Sequence, residues 1–207
     1  MKIVLPAVLF LLLHVSEQGS AMQVKLLTLD QMIANATVIF VGQCLTSRSQ
    51  EDLHFGRTVT VAEFEVVEAL KGRLGETHTV KQYGGTVESK SHRIAGMPTY
   101  TPGEDVILFL YGESQYGFTS PVGILQGKFT FVTGEELSSS LMIVNGINNR
   151  GLLAGLDPHV LTNDEDIDES QRKAIQKLLR VKRGPISYED FRLVTKALIG
   201  SNEQVKE

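Results

Sequence analysis

Four segments of the chain carry the hydrophobic pattern of β-strands. Two of them are largely apolar at both odd and even positions, which is typical of strands covered on both faces; they are residues 37–47 (TVIFVGQCLTS) and 106–111 (VILFLY). Residues 77–83 (THTVKQY) follow a charged turn, and in residues 123–132 (GILQGKFTFV) two phenylalanines share one face. The pattern therefore predicts an all-β region with loops of uneven length.

A fifth and longer strand is predicted over residues 57–71, and its hydrophobic phase changes along its length. Apolar residues stand at odd positions at Val59 and Val61 but at an even position at Phe64. Because a one-residue slip reverses the faces of a strand, this change predicts a β-bulge near Ala62–Glu63. A long strand with a bulge can bend and serve two sides of a small barrel.

Helical patterns flank this β-region. Thr28 and Gln31 fit a capping box and predict a short helix over residues 29–34. Two more helices are predicted near the C-terminus from apolar residues at helical spacing, which are Ile175, Leu178 and Leu179 in the first and Phe191, Val194 and Leu198 in the second. We expect the second of these helices to end at Gly200.

The N-terminal residues have the pattern of a secretory signal peptide. Lys2 precedes an apolar run over residues 3–15, and the small residues Gly19 and Ala21 stand at −3 and −1 of a cleavage site after Ala21. A buried N-terminal helix is the alternative. No later segment reaches the roughly 20 apolar residues of a transmembrane helix. The sequence predicts an exported protein, periplasmic or extracellular, with no transmembrane segment after cleavage.

Composition narrows the classes of function. The net charge is −4, which argues against nucleic-acid binding because that needs a concentrated basic surface. Cys44 is the single cysteine, so no internal disulfide can form. Its apolar neighbours predict a small buried residue, and a reactive thiol is the alternative.

The motifs of common enzymes and metal sites are missing from the sequence. The histidines that follow the signal peptide are scattered singly, at His54, His78, His92 and His159, without zinc-site spacing. No G-x-S-x-G elbow or phosphate-binding glycine loop occurs, so we interpret Gly84-Gly85 as a backbone bend or a close strand contact. The acidic run 164–169 favours a helix N-terminus over a calcium loop. We predict a protein that is not an enzyme, with no catalytic residue, cofactor or metal.

The long connection over residues 86–101 is the main candidate for function. Loops longer than about 12–15 residues are often functional. Its candidate partner-binding side chains are Lys90, His92, Arg93, Met97 and Tyr100. The alternative interpretation is a loop that only caps a barrel, with Met97 and Tyr100 folded inward.

Several short motifs resemble the OB-like barrel of the netrin-module and TIMP (tissue inhibitor of metalloproteinases) group. The resemblance covers residues 26–133 and is closer still to uncharacterised exported bacterial proteins with the motifs EV-x-x-x-LKG, V-x-x-x-GG, PGE-x-V-x-x-FL and QGKF, which stand here at Glu65–Gly72, Val80–Gly85, Pro102–Leu110 and Gln126–Phe129. It implies a mainly β (α+β overall) fold, a five-stranded OB-like closed β-barrel with a short N-terminal helix and a C-terminal helical appendage.

The resulting division of the chain has five parts. These are a signal peptide (1–21), the OB-like barrel domain (22–134), an irregular or hairpin connection (135–162), a two-helix appendage (163–200) and a flexible tail (201–207).

The resemblance implies a fold more strongly than a function. TIMPs chelate the zinc of their target through an N-terminal cysteine, whereas the predicted mature chain here begins at Met22. We therefore expect a binding module that recognises another exported protein or a cell-envelope component. The alternatives are a protease inhibitor or protease-associated module, a structural envelope component, and an enzyme whose site is built from distant residues. The sequence leaves the oligomeric state open.

Overall fold

The computed structural model describes residues 25–132, 141–158, 161 and 167–204. Within them the helices are α1 (Leu29–Asn35), α2 (Glu169–Leu178) and α3 (Tyr188–Gln204), with a 3₁₀ turn at Ile124–Gln126. The strands are β1 (Val38–Asp52), β2 (Arg57–Lys71), β3 (Thr77–Tyr83), β4 (Gly85–Val87), β5 (Lys90–His92), β6 (Asp105–Leu110), β7 (Lys128–Val132), β8 (Met142–Asn145) and β9 (Ile186–Ser187). The predicted signal peptide, residues 1–21, lies outside the described residues.

Seven of these strands form one antiparallel sheet in the order β3-β2-β1-β6-β7-β8-β9, and β4 and β5 form a separate hairpin. The prediction of a mainly β fold with helices is therefore confirmed. The closed five-stranded barrel is not confirmed, because β3 and β9 are the two ends of the sheet in the part of the chain that the structure describes. The sheet is larger than predicted because β8 and β9 extend it beyond β7.

The two central strands are buried on both faces, as their continuous apolar sequences predict. In β1, Ile39 and Val41 point into a larger core, whereas Phe40 and Cys44 point into a smaller one on the opposite face. The apolar residues of β6 alternate in the same way. The larger core also holds side chains from all three helices, and the smaller core includes Tyr100 from the long loop.

The bulge predicted in β2 at Ala62–Glu63 lies in the partner strand β1, opposite Glu63 and Phe64. The pairing of β2 with β3 is continuous over the β2 residues 59–65, and the nearest register shift leaves the extra residue, Leu45, in β1. Extra residues in β2 stand later, at Val67 and Leu70. Val59 is fully buried on the face opposite Ala62, so the apparent phase change reflects cover on both faces of β2.

Capping explains where two of the helices begin. At α1, the backbone N–H of Thr28 donates to Gln31 Oε1 at 3.4 Å, and the predicted capping box forms. At α2, Asp168 accepts a 2.8 Å hydrogen bond from the backbone N–H of Gln171, and the Gln171 side chain accepts one from the Asp168 N–H at 2.9 Å. Asp168 belongs to the acidic run that the sequence assigns to a helix N-terminus.

The C-terminal helices pack against the sheet and share its larger core. Phe191 and Val194 of α3 are fully buried there, and the Phe191 ring lies 5.0 Å from that of Phe129. Helix α3 continues to Gln204, past its predicted end at Gly200, because a glycine inside a helix costs only about 1 kcal/mol. Among the described helices, none has the length and apolarity needed to cross a membrane.

Candidate functional site

The candidate site begins where the chain leaves β3 at two glycines. Gly84 and Gly85 have φ angles of 93° and 142°, a region that other residues rarely adopt. A Cβ on Gly85 would overlap Ser49 Oγ and lie 2.7 Å from Thr60 Oγ1. The glycines thus allow the backbone to pass directly over two hydroxyl groups of β1 and β2, which is the close strand contact that the sequence suggested.

The next residues form a small hairpin instead of an open loop. Strands β4 and β5 pair through three residues each, and Glu88 and Ser89 between them both have positive φ angles. Two such residues in succession are typical of a tight hairpin turn, but this pair lacks the glycine that usually marks it in a sequence. His92, at the end of β5, is held by a 3.2 Å hydrogen bond between Nδ1 and Thr58 Oγ1.

The returning limb of the loop is fixed to the sheet by Lys128 of β7. Its Nζ donates to the Thr99 carbonyl at 2.7 Å, pairs with Glu104 at 2.8 Å, and lies 5.3 Å from the centre of the Tyr100 ring. Tyr100 packs edge-on against Phe64 in the smaller core, with 5.1 Å between ring centroids. These contacts hold the loop over the open end of that core.

An open cavity of about 440 Å³ lies between the loop and the strands, and we call it the inner cavity. Ser47, Ser49, Thr60 and Gln82 line it from the sheet, and Met97 and Tyr100 line it from the loop. A volume of this size fits one small ligand or one group of a larger ligand. The wall from the sheet is polar, which is unusual for strands whose other inward residues are apolar.

Two residues that line the inner cavity each carry a buried oxygen atom without a hydrogen-bond partner among the described residues. These atoms are Gln82 Oε1 and the Tyr100 hydroxyl, and both side chains are about 95% buried. The orientation of the Gln82 amide follows from its Nε2, which donates to the Pro98 carbonyl at 2.7 Å. Burial raises the pKa of Tyr100, so its hydroxyl remains a hydrogen-bond donor at neutral pH. Buried polar atoms usually have partners, so this unpaired donor and acceptor make the inner cavity the candidate binding site.

A second space, which we call the outer groove, adjoins the inner cavity and has a volume of about 800 Å³. Its side chains include Glu51, Phe55, Arg57, Tyr83, His92 and Arg93. Tyr83, His92 and Arg93 also line the inner cavity.

Four of the five residues predicted to bind a partner meet at this site. His92 and Arg93 line both spaces, whereas Met97 and Tyr100 line the inner cavity. Lys90 is exposed on the hairpin and lines neither space. Tyr100 is folded inward, so the loop both caps the smaller core and forms the cavity. That any of the five binds a partner stays a prediction.

Sequence reasoning missed the polar residues that the sheet contributes. Thr58 and Thr60 lie on the same face of β2 as Ala62 and Phe64. Gln82 lies on the same face of β3 as Val80. All of these side chains are buried, and the polar ones come together at one end of the two strands. Polar residues at strand positions that otherwise face the core were the signal that could have identified this side of the site.

No protein-family model matches the chain, and no curated protein or solved structure is significantly similar to it. The resemblance to the netrin-module and TIMP group therefore stays a prediction. Among the residues that the structure describes, no three His, Cys, Asp or Glu side chains are grouped as metal ligands would be.

Proposed function

We propose that this protein is a non-enzymatic binding module that recognises a component of the exported or cell-envelope fraction. The observation that carries the proposal is the pair of unpartnered buried oxygens, Gln82 Oε1 and the Tyr100 hydroxyl, on two residues that line the inner cavity. An unsatisfied buried polar group costs about 1–3 kcal/mol, and a ligand that supplies its partner recovers that energy. The cavity thus favours a ligand that inserts a group able both to donate and to accept hydrogen bonds.

The chemistry of the cavity wall favours binding over catalysis. The polar side chains that line it carry hydroxyl, amide, imidazole and guanidinium groups, without a carboxylate or thiol among the described lining residues. His92 Nδ1 is hydrogen-bonded to a threonine hydroxyl, whereas a catalytic histidine is usually oriented by a carboxylate. Export itself rests on the N-terminal sequence.

We also propose that the first part of the sheet is an OB-like barrel closed through residues 118–121. Two isolated bridges support this proposal, a parallel one between Lys81 and Phe118 and an antiparallel one between Leu110 and Pro121. They position this segment between β3 and β6, where a fifth barrel strand would lie. The loop and the inner cavity would then occupy one end of that barrel.

A pull-down from the native exported and envelope fractions tests the binding function. The bait is the chain beginning at Met22, compared with the double variant Gln82→Met/Tyr100→Phe. We expect one dominant component to be retained by the wild type and lost with the double variant, because both cavity oxygens are removed.

A matched control makes the same substitutions at two exposed positions that line neither space, Gln50→Met and Tyr111→Phe. It should retain the component. Equal capture by wild type and both double variants would reject the inner cavity as the site. A wild-type bait that retains nothing would reject the binding function.

A further inference from the structure

The outer groove carries more positive than negative charge, although the whole chain is acidic. Arg57 and Arg93 are exposed, and neither has an ion-pair partner among the described residues. His92 lies beside them, and Glu51 is the one carboxylate among the described lining residues. Guanidinium groups bind carboxylates through paired hydrogen bonds, so this groove is complementary to a ligand with a carboxylate.

The outer groove contains a tyrosine ring that is stacked on one face and still partly exposed. The Tyr83 ring stacks on that of Phe118, with 4.1 Å between centroids and an interplanar angle of 11°. Tyr83 nevertheless keeps 38% of its surface exposed, and it lines the outer groove. Such a fixed, half-covered tyrosine presents a flat apolar surface next to polar groups.

The inner cavity requires a different chemistry from that of the groove. Gln82 Oε1 needs a hydrogen-bond donor, and the Tyr100 hydroxyl can donate to an acceptor or accept from a donor. The hydroxyls of Ser47 and Ser49 line the same small space. A ligand hydroxyl offers both a donor and an acceptor, whereas a bare carboxylate cannot donate to Gln82.

We propose that the inner cavity and the outer groove together bind an acidic saccharide. Its hydroxyl groups enter the inner cavity and bond to Gln82 and Tyr100, its apolar ring face lies on Tyr83, and its carboxylate pairs with Arg93 and Arg57. This proposal rests on the proposed binding function and names the chemical class of the ligand. An acidic peptide shares the carboxylate but lacks the clustered hydroxyls.

Isothermal titration calorimetry on the chain beginning at Met22 tests the ligand class. The probes are trimers of galacturonate, mannuronate and guluronate, their methyl esters, and tetra-aspartate as an acidic peptide. We expect at least one uronate trimer to bind about tenfold more tightly than its methyl ester, which keeps the hydroxyls and loses the charge. Tetra-aspartate should bind at least tenfold more weakly than that trimer.

Three variants assign the contacts, each checked by circular dichroism for a native fold. Arg93→Gln should weaken the acidic trimer about tenfold and leave the methyl ester unchanged. Gln82→Met should weaken both forms by a similar factor, because both carry the hydroxyls. Arg73→Gln is the matched surface control, since Arg73 is an exposed arginine that lines neither space, and it should change neither affinity.

Three results would overturn the proposal: no binding of any uronate trimer, equal binding of acid and ester, or a loss in Arg73→Gln as large as in Arg93→Gln. Tight binding of tetra-aspartate would replace the saccharide with an acidic peptide. If the saccharides fail while the pull-down still loses its component in the Gln82→Met/Tyr100→Phe variant, the binding function stands and only this ligand class is rejected.

Discussion

The guanidinium of Arg192 on α3 binds the carboxylate of Glu68 on β2 through two hydrogen bonds, of 2.7 and 2.8 Å, across 124 residues of sequence. Lys196, one turn further along the helix, pairs with the same carboxylate at 2.7 Å. A bidentate arginine–carboxylate pair fixes geometry as well as charge. Glu68 is thus the residue that ties the C-terminal helix to the second strand.

Replacing Glu68 should cause a loss of stability that depends on pH. The hydrogen bond from Arg192, and then that from Lys196, lower the pKa of Glu68 from 4.5 to about 2. We expect Glu68→Gln to reduce the free energy of unfolding by about 1–2 kcal/mol at neutral pH, since the pair is only partly shielded from solvent. Because the pKa of Glu68 is lower in the folded state, the wild type should exceed Glu68→Gln in free energy of unfolding by the full amount above about pH 4.5. This difference should shrink as the pH falls toward 2.

Urea unfolding at several pH values measures the difference between the two proteins. Glu65→Gln is the control, because Glu65 lies on the same strand, is exposed and has no ion pair among the described residues. It should shift stability by less than about 0.5 kcal/mol. A pH-independent difference for Glu68→Gln would contradict the ion-pair explanation.

Replacing Gly85 with alanine should reduce the free energy of unfolding by more than backbone strain alone explains. Gly85→Ala brings Cβ against Ser49 and Thr60, so we expect a loss of about 3–4 kcal/mol from strain plus overlap. Gly103 also has a positive φ, 84°, but nothing lies within 4 Å of its added Cβ. Gly103→Ala should therefore cost only about 1–2 kcal/mol. Chemical unfolding measures both variants. If Gly85→Ala and Gly103→Ala lose the same free energy of unfolding, the contacts of the added Cβ at Gly85 are relieved without cost.

Removing the Tyr100 hydroxyl should stabilise the ligand-free protein. An unpartnered buried hydroxyl opposes folding, so Tyr100→Phe should raise the free energy of unfolding by about 1 kcal/mol while it weakens ligand binding. Tyr188→Phe is the comparison, because the Tyr188 hydroxyl lies 3.5 Å from Glu68 Oε2 and its removal should cost about 0.5 kcal/mol. If Tyr100→Phe were destabilising, its hydroxyl would have a partner within the fold.

Lys128 should control how often the loop opens. Lys128→Met keeps the length of the side chain but loses the bonds to Thr99 and Glu104, so amide exchange over residues 96–104 should become about tenfold faster. Exchange in β6 should not change. Lys81→Met is the control, because Lys81 pairs with Asp52 away from the loop. Unchanged exchange over residues 96–104 would mean that other contacts hold the loop.

Local sequence patterns predicted the elements whose burial is periodic. Continuous apolar runs identified the two central strands, and helical spacing identified the buried faces of α2 and α3. The patterns failed where two faces of one strand are covered, as at Val59, because burial on both sides looks like a change of phase. They gave only an irregular or hairpin connection where β8 lies and missed β9, since strands of four and two residues are too short to show a period.

The candidate site was also predicted only in part from the sequence. A long loop with cationic and aromatic residues pointed to His92, Arg93, Met97 and Tyr100, and all four line the spaces described above. Lys90 was equally plausible by composition, yet the hairpin turn directs it away. Neither the role of Gln82 nor that of Ser49 could be read from local sequence, because each depends on which strands lie beside each other.

The sequence by itself determined the positions of the main strands and helices and the choice of the loop over 86–101 as the candidate site, because hydrophobic periodicity and loop length are local properties of the chain. Only the tertiary structure decided that the sheet has seven strands, that Arg192 reaches Glu68, and that Gln82 and Tyr100 line one cavity with unpaired oxygens. These relationships join residues far apart in sequence, and they depend on strand register and packing, which no local pattern encodes.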